Sequence, residues 1–411
     1  MIEEIIKKKN ELQDKFSDLW LKNNYNGVFL LYTGFGKNFT AFKCISKGLE
    51  KGSSILWAFE VTDREETVLA DIKKFDKLYG TKLLKDYNWT FACYQSIYKW
   101  KEKHFNLFCA DECHELPSLK RFDFVRNNTF DKFIGLTATL DEAAIVDEDN
   151  KITKGMLMNS FTSVLCKYTM EDGQADGIAP PLKIFVLNHK LDTVKKSINA
   201  GNAKKQFLQT EWSAYQYRNK NFAKAMFIGN EKQKLFAIRA ASAARAKLLY
   251  NLPSKIEVTK ELLNFLESFG KKTIIFGNSL EALSSVTKNV VKGENSDLKN
   301  NKIKKDFEKG KINNIASFKK LKQGANIDNL DCCIVMSYYT KELDYIQRAG
   351  RILRFRENHY PFIIILRTVD TQEVKWFDEM MSNFNQTNIE YCSNTNDCIT
   401  KIKYFLNDRD L

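Results

Sequence analysis

Phe108-Cys109-Ala110-Asp111-Glu112-Cys113-His114-Glu115-Leu116 is the stretch around which the chain is organised. The apolar run Asn106 to Ala110 predicts a short buried strand, and the adjacent carboxylates Asp111 and Glu112 fall where it ends. Open α/β sheets bind ligands outside the carboxyl ends of their strands, so both acids are expected to face a crevice. Two acids there can divide the work of nucleotide hydrolysis: one holds Mg²⁺, while the other orients and deprotonates the attacking water. Taken alone, Asp111-Glu112-Cys113-His114 fits an acidic strand-to-loop turn equally well, so the surrounding chain has to decide.

A chain of 411 residues predicts two or three domains. Its 44% hydrophobic and 28% charged residues are an ordinary globular balance. The net charge of +13 points to a polyanionic partner, nucleic acid first, although diffuse surface lysine gives the same total. Nine cysteines without a CxxC pair, beside four histidines, argue against structural zinc and for a reducing compartment. Met1 to Phe16 lacks the apolar core of a signal peptide, and no apolar run reaches the length of a membrane span. The sequence therefore predicts a cytoplasmic protein with no membrane partner. The Lys- and Asn-rich composition suggests a bacterial, or phage-infected bacterial, host.

Along the chain, Met1 to Asn23 predicts an amphipathic helix, and Gly27 to Tyr32 a buried strand. Thr33-Gly34-Phe35-Gly36-Lys37-Asn38 then forms a Gly-rich turn opening a helix through Lys47. Such a turn points backbone N–H groups and a helix N-terminus at an anion, and a lysine there reaches the β- and γ-phosphates. Strand and helix alternate through Ser54–Phe59, Asp63–Lys77, Trp89–Tyr94 and Phe133–Leu136, which argues for a parallel sheet covered by helices. The breakers between Glu171 and Pro181 predict a connection leaving a first domain over 1–185. Residues 186–255 are expected to be a basic helical connection. Alternation resumes over 256–380 with strands at Thr273–Phe276, Ile312–Ser317, Cys332–Ser337 and Pro361–Leu366, and 381–411 is expected to be a short tail.

In order and spacing these pieces resemble a superfamily 2 helicase of DExH type over nearly the whole chain. Thr33-Gly34-x-Gly36-Lys37 resembles motif I, the Walker A turn, with Asn38 where a Ser or Thr commonly ligates Mg²⁺. Glu60-Val61-Thr62 sits at motif Ia, and Tyr94-Gln95-Ser96 resembles the stretch preceding the acidic box in branch-migration and restriction-type translocases. Asp111-Glu112-Cys113-His114 matches motif II, and Gly135-Leu-Thr137-Ala-Thr139 motif III. Thr273 to Ser279, with Asn278, resembles motif IV; Ser317 and Gln323-Gly324-Ala-Asn326 resemble motif V; Gln347-Arg348-Ala-Gly350-Arg351-Ile-Leu-Arg354 resembles motif VI. Met170 to Pro181 is similar to the link after motif III in UvsW-like, RecG-like and type III restriction-type enzymes.

The resemblance implies two tandem RecA-like domains with ATP and Mg²⁺ in the cleft between them. It assigns the phosphates to Lys37 and the backbone of Thr33, Gly34 and Gly36, the metal to Asp111 with Asn38, and the general base to Glu112. Arg351, Arg354 and Gln347 would act on the developing charge, Gln13 on adenine and Asn326 on the ribose. Thr62, Gln95, Ser96, Asn278, Ser279, Ser317 and Gly324 would touch the nucleic acid backbone, while His114, Thr137 and Thr139 couple the two ligands. The implied activity is an ATP-dependent DNA helicase or translocase, with a protein partner as one source of specificity. Three other readings stay open: a duplex translocase that separates no strands, an RNA helicase, and a weakened nucleotide-dependent binding subunit marked by Asn38.

Overall fold

The structure is a computed structural model, and it describes residues 2–32, 34–60, 64–116, 119–138, 162–179, 182–202, 205–292, 297–318, 330–338, 360–381 and 388–407. Two compact units divide between Pro181 and Leu182.

The first unit is built on six parallel strands: β1 (Asn26–Leu31), β2 (Ser54–Phe59), β3 (Asn88–Cys93), β4 (His104–Asp111), β5 (Thr129–Thr137) and β6 (Val164–Tyr168). Their spatial order is β3-β2-β4-β5-β1-β6. Five consecutive residues of both β1 and β2 are buried, as strands covered by helices on both faces require. Helix α1 (Ile2–Lys22) lays Phe16 and Trp20 into this core, and the Trp20 indole donates to the Phe133 carbonyl at 2.7 Å. Because the strands are parallel, the turns after β1, β4 and β5 leave the sheet at one end, and β5 alone separates β1 from β4. The sequence reading lacked β6. It also took Glu171–Pro181 for a plain connection, whereas Met170–Ala175 is a short helix closed by a reciprocal Thr169–Asp172 capping box.

The second unit corrects three boundaries. β7 (Lys183–His189) lies in its sheet between β14 (Phe362–Thr368) and β15 (Ile389–Cys392), so a border at 185/186 would cut a strand. The expected helical connection begins with that strand and an antiparallel hairpin, β8 (Ile198–Asn202) and β9 (Lys205–Gln209), before two helices, Glu211–Ala225 and Glu231–Tyr250. The expected tail supplies β15 and a helix, Thr395–Asn407, whose Cys398, Ile402 and Leu406 join the core. β7 and β15 were hidden for one reason: strand pairing over more than 170 residues of sequence leaves no local signal. The rest of the sheet is β10 (Thr273–Phe276), β11 (Val290–Val291), β12 (Asn314–Ser317) and β13 (Cys332–Val335), all parallel, in the order β11-β12-β10-β13-β14-β7-β15.

Beside β14, Lys255 and Glu373 form an ion pair at 2.8 Å with both side chains fully buried, and Glu373 also accepts from the Thr368 amide. Truncating Lys255 leaves a buried carboxylate without its countercharge. Lys255→Ala is expected to lower the unfolding free energy by about 3–5 kcal/mol, read by urea denaturation of the second unit's transition.

Candidate active site

β1 ends on apolar residues, and the chain turns at once through Gly34 and Gly36, at φ +98° and +99°. These left-handed conformations suit glycine alone. At Gly36 a Cβ would also stand 2.9 Å from the Gln13 amide nitrogen. Phe35 between them is fully buried against Phe16 and Tyr168, with ring centroids 5.6 and 5.3 Å away, so an aromatic peg holds the turn to the core. Lys9 and Gln13 on α1 brace it further: Lys9 donates to the Gly34 carbonyl at 2.7 Å, and Gln13 to those of Phe35 and Gly36. Gly36 is the N-cap of the helix Lys37–Gly48, which has no side-chain cap. No N-cap side chain therefore closes off its first amides, which is the arrangement that receives an anion.

β4 delivers Asp111 and Glu112 to the same end of the sheet. Tyr94, at the end of β3, is fully buried and donates to the Asp111 carbonyl at 2.8 Å. Glu112 adopts φ 51° and ψ 51°, a left-handed conformation that costs a non-glycine residue about 1–3 kcal/mol and turns the carboxylate out of the strand direction. The result is an ion pair of 3.0 Å between Lys37 Nζ and Glu112 Oε1. His114 Nδ1 lies 3.6 Å from Glu112 and 2.9 Å from the Thr137 hydroxyl at the end of β5, so residues of three strand ends meet.

Arg64, the first residue of the helix Arg64–Tyr79, was not foreseen from the sequence. Its guanidinium stands 3.6 Å from Asp111 Oδ2 and 3.5 Å from Glu112 Oε1. The only sequence signal was an arginine, in a chain that prefers lysine, two residues after the motif Ia threonine. Burial resists ionisation of both acids. At Glu112 it is outweighed by Lys37, Arg64 and His114, which draw the carboxyl down to about 2. At Asp111 burial wins despite Arg64, with Glu112 adding to it, and the pKa is raised. Asp111 Oδ2 makes no hydrogen bond among the described residues, although it is buried.

Other expected site residues are placed differently. The Asn38 amide nitrogen donates to Asp71 Oδ2 at 2.8 Å, which turns that end of the side chain toward the helix Arg64–Tyr79. Gln95 and Ser96 are exposed on the turn after β3, and the Ser96 hydroxyl donates back to the Cys93 carbonyl. In the second unit, the Asn278 backbone N–H donates to the Ser337 hydroxyl at 2.8 Å. Ser279, expected at a nucleic acid backbone, caps the helix Leu280–Val286 by accepting from the Ala282 amide and donates to Asn251, so its hydroxyl is committed locally. Ser317 is buried at the end of β12. Thr33, Thr62, Thr139, Gly324, Asn326, Gln347, Arg351 and Arg354 lie outside the described residues.

The type III restriction enzyme res subunit family matches residues 1–142, and the helicase conserved C-terminal domain matches residues 254–356. Together the two matches support a superfamily 2 helicase. The chain is 25% identical over 377 residues to the DNA 3'-5' translocase XPB2 of Sulfurisphaera tokodaii, across 88% of this chain and 83% of that protein. That relative is archaeal and gives the expected bacterial host no support. Among solved structures, S. cerevisiae Dbp5 bound to RNA and ADP BeF3 superposes with a TM-score of 0.60 at 13% identity, over 97% of this chain and 92% of that one. The DNA-bound type ISP restriction-modification enzyme LlaBIII gives 0.57 at 14% identity over 93% of this chain, which spans 30% of that enzyme's length. These likenesses show the fold, two tandem RecA-like domains. No helix among the described residues is long and apolar enough to cross a membrane.

In Arg64→Gln, Asp111 loses its main countercharge while remaining buried. The variant is expected to lose about 2–3 kcal/mol of unfolding free energy, and adding Asp111→Asn to recover part of it. A double-mutant cycle in urea measures the coupling; strictly additive losses would remove Arg64 from the acidic pair.

Proposed function

We propose that this chain is an ATP-dependent DNA helicase or translocase that couples ATP hydrolysis to movement along, or remodelling of, DNA. The observation that carries the reading is the meeting of the uncapped Gly34–Lys37 turn with Asp111 and Glu112, joined by the 3.0 Å pair between Lys37 and Glu112. A nucleotide-shaped anion is what such a turn receives, and carboxylates are what its hydrolysis uses. DNA is favoured over RNA as the track because the curated relative is named a DNA translocase. That name also favours translocation as the core activity, with strand separation as an addition to it.

In this reading the backbone of Thr33, Gly34 and Gly36 and the Lys37 ammonium cradle the β- and γ-phosphates. Gln13 keeps its amide nitrogen on the turn and presents its Oε1, which is buried without a hydrogen-bond partner among the described residues, to the adenine amino group. The buried, unbonded Asp111 Oδ2 fits Mg²⁺, and Asn38 would join it only through its amide oxygen. A divalent ion held there would supply neutralisation of the phosphate charge. Glu112 is too weak a base while Lys37 and Arg64 hold its pKa near 2. Phosphates that draw Lys37 away restore basicity to Glu112, so the base is armed by substrate and idle without it.

Gln347, Arg351 and Arg354 act on the developing charge, because guanidinium matches phosphoryl oxygens in planar, bidentate fashion. Asn326 takes the ribose. Thr62, Gln95, Ser96, Asn278, Ser317 and Gly324 serve the nucleic acid path through backbone contacts, which carry little sequence information. The His114–Thr137 contact, continued by Thr139, links nucleotide state to that path. A protein partner adds specificity.

Steady-state ATP hydrolysis without polymer, and with single-stranded DNA, duplex DNA and RNA, tests the assignment. DNA should stimulate turnover most; stimulation by RNA alone would overturn the choice of track, and ATP binding without turnover on any polymer would overturn the motor. Glu112→Gln should bind ATP normally while turnover falls by about 10²–10⁴-fold, and unchanged turnover would sink the base assignment. Arg351→Ala should lose hydrolysis and keep DNA affinity; equal loss of both would make it a structural residue or a DNA contact.

A further inference from the structure

Residues 191–250 carry 12 Lys and Arg against 3 Asp and Glu, a net +9 of the chain's +13. The positive charge is therefore not diffuse surface lysine: most of it is concentrated in one insertion of the second unit. Two of the three acids are spent locally. Asp192 accepts from the amides of Val194 and Lys195, while the buried Glu211 accepts from the amide of Asp192 and from the amide and hydroxyl of Ser254. Lys195 is paired with Glu257 at 3.0 Å, while Lys232, Arg239 and Lys247 on the second helix are exposed.

The helices Glu211–Ala225 and Glu231–Tyr250 pack on each other as a hairpin. The second helix presents Lys232, Phe236, Arg239, Ala243 and Lys247 outward, all exposed and spaced by three or four residues, hence on one face. Phe236 is 76% exposed there, and Phe227 at the hairpin's turn is 89% exposed. An apolar protein-docking face would not be laced with cations at every turn, and a solvated helix face would not hold out phenylalanine. Aromatic rings interleaved with cations match a single-stranded nucleic acid, which offers both bare bases and a phosphate line; duplex DNA hides its base faces.

The hairpin is also rigidly seated. Tyr215 Oη accepts from the Gln372 amide at 2.8 Å, Arg245 donates to the Gln372 side chain at 3.3 Å, and Glu211 binds Ser254. Gln372 begins the helix that follows β14, so whatever the hairpin grips is mechanically tied to the second sheet.

We propose that the outward face of this helical hairpin is an additional binding site for single-stranded nucleic acid, with Lys232, Arg239 and Lys247 on phosphates and Phe236 stacked on an unpaired base. The proposal rests on the motor reading above and gives it a strand-holding site that distinguishes unwinding from travel on intact duplex.

The test is fluorescence anisotropy of the full chain on labelled oligothymidylate and on duplex DNA across a salt series, with ATP hydrolysis measured in parallel. Phe236→Ala should weaken single-strand binding about tenfold and leave duplex affinity and polymer-free hydrolysis unchanged. Lys232→Ala with Arg239→Ala should lower the slope of log K against log salt by about 1.4, the loss of two phosphate contacts on a single strand. Wild-type affinity and slope in both variants would overturn the site. So would a wild-type dimer that Phe236→Ala makes monomeric with strand affinity intact, because the face would then belong to a second copy. If wild type shows no DNA-stimulated hydrolysis while the variants still lose strand binding, the motor reading fails and the site stands.

Discussion

The pair between Lys37 and Glu112 depends on two backbone conformations that the chain would avoid elsewhere. Gly34 and Gly36 bend the turn after β1 into left-handed space, and Glu112 enters the same region after β4 without glycine's licence. Only because β1 and β4 are parallel and one strand apart do these turns open at the same end of the sheet. Move either strand by one register step and the ammonium and carboxylate no longer meet. The strain at Glu112 is offset by its surroundings: Lys37, Arg64 and His114 all face a carboxylate that burial alone would neutralise.

Support for that end of the sheet comes from apolar packing. Phe35 anchors the Gly34–Gly36 turn between Phe16 of α1 and Tyr168 of β6, so a helix at one end of the sequence and a strand beyond residue 160 both hold the loop in place. Tyr94 does the corresponding work under Asp111. The polar groups at the site can therefore stay incompletely satisfied among the described residues, as Asp111 Oδ2 and Gln13 Oε1 are, without the loop collapsing onto them.

The second unit is organised around β14 and the buried Lys255–Glu373 pair rather than around a glycine turn. Its sheet recruits β7 from before the basic insertion and β15 from near the end of the chain, flanking each other beside β14. The insertion between them is tied to the second unit through Gln372 and Ser254, and it carries most of the protein's net positive charge.

The amino-acid sequence by itself determined the α/β class and the strands with continuous apolar runs, and it singled out residues that the fold brings to one end of the first sheet. Gly34, Gly36, Lys37, Asp111, Glu112 and His114 were legible as neighbours at the strand ends, because a left-handed turn and a strand-ending acid pair restrict the residue types allowed at fixed local spacing. Tertiary structure alone decided what depends on distance across the chain. It placed Arg64 over both acids, turned the Asn38 amide to Asp71, joined Tyr94 to Asp111, and assigned β7 and β15 to one sheet. It also spent the Ser279 hydroxyl on a helix cap. Local pattern records which groups a segment can offer; which groups meet is set by strand order and helix packing, and those are properties of the whole core.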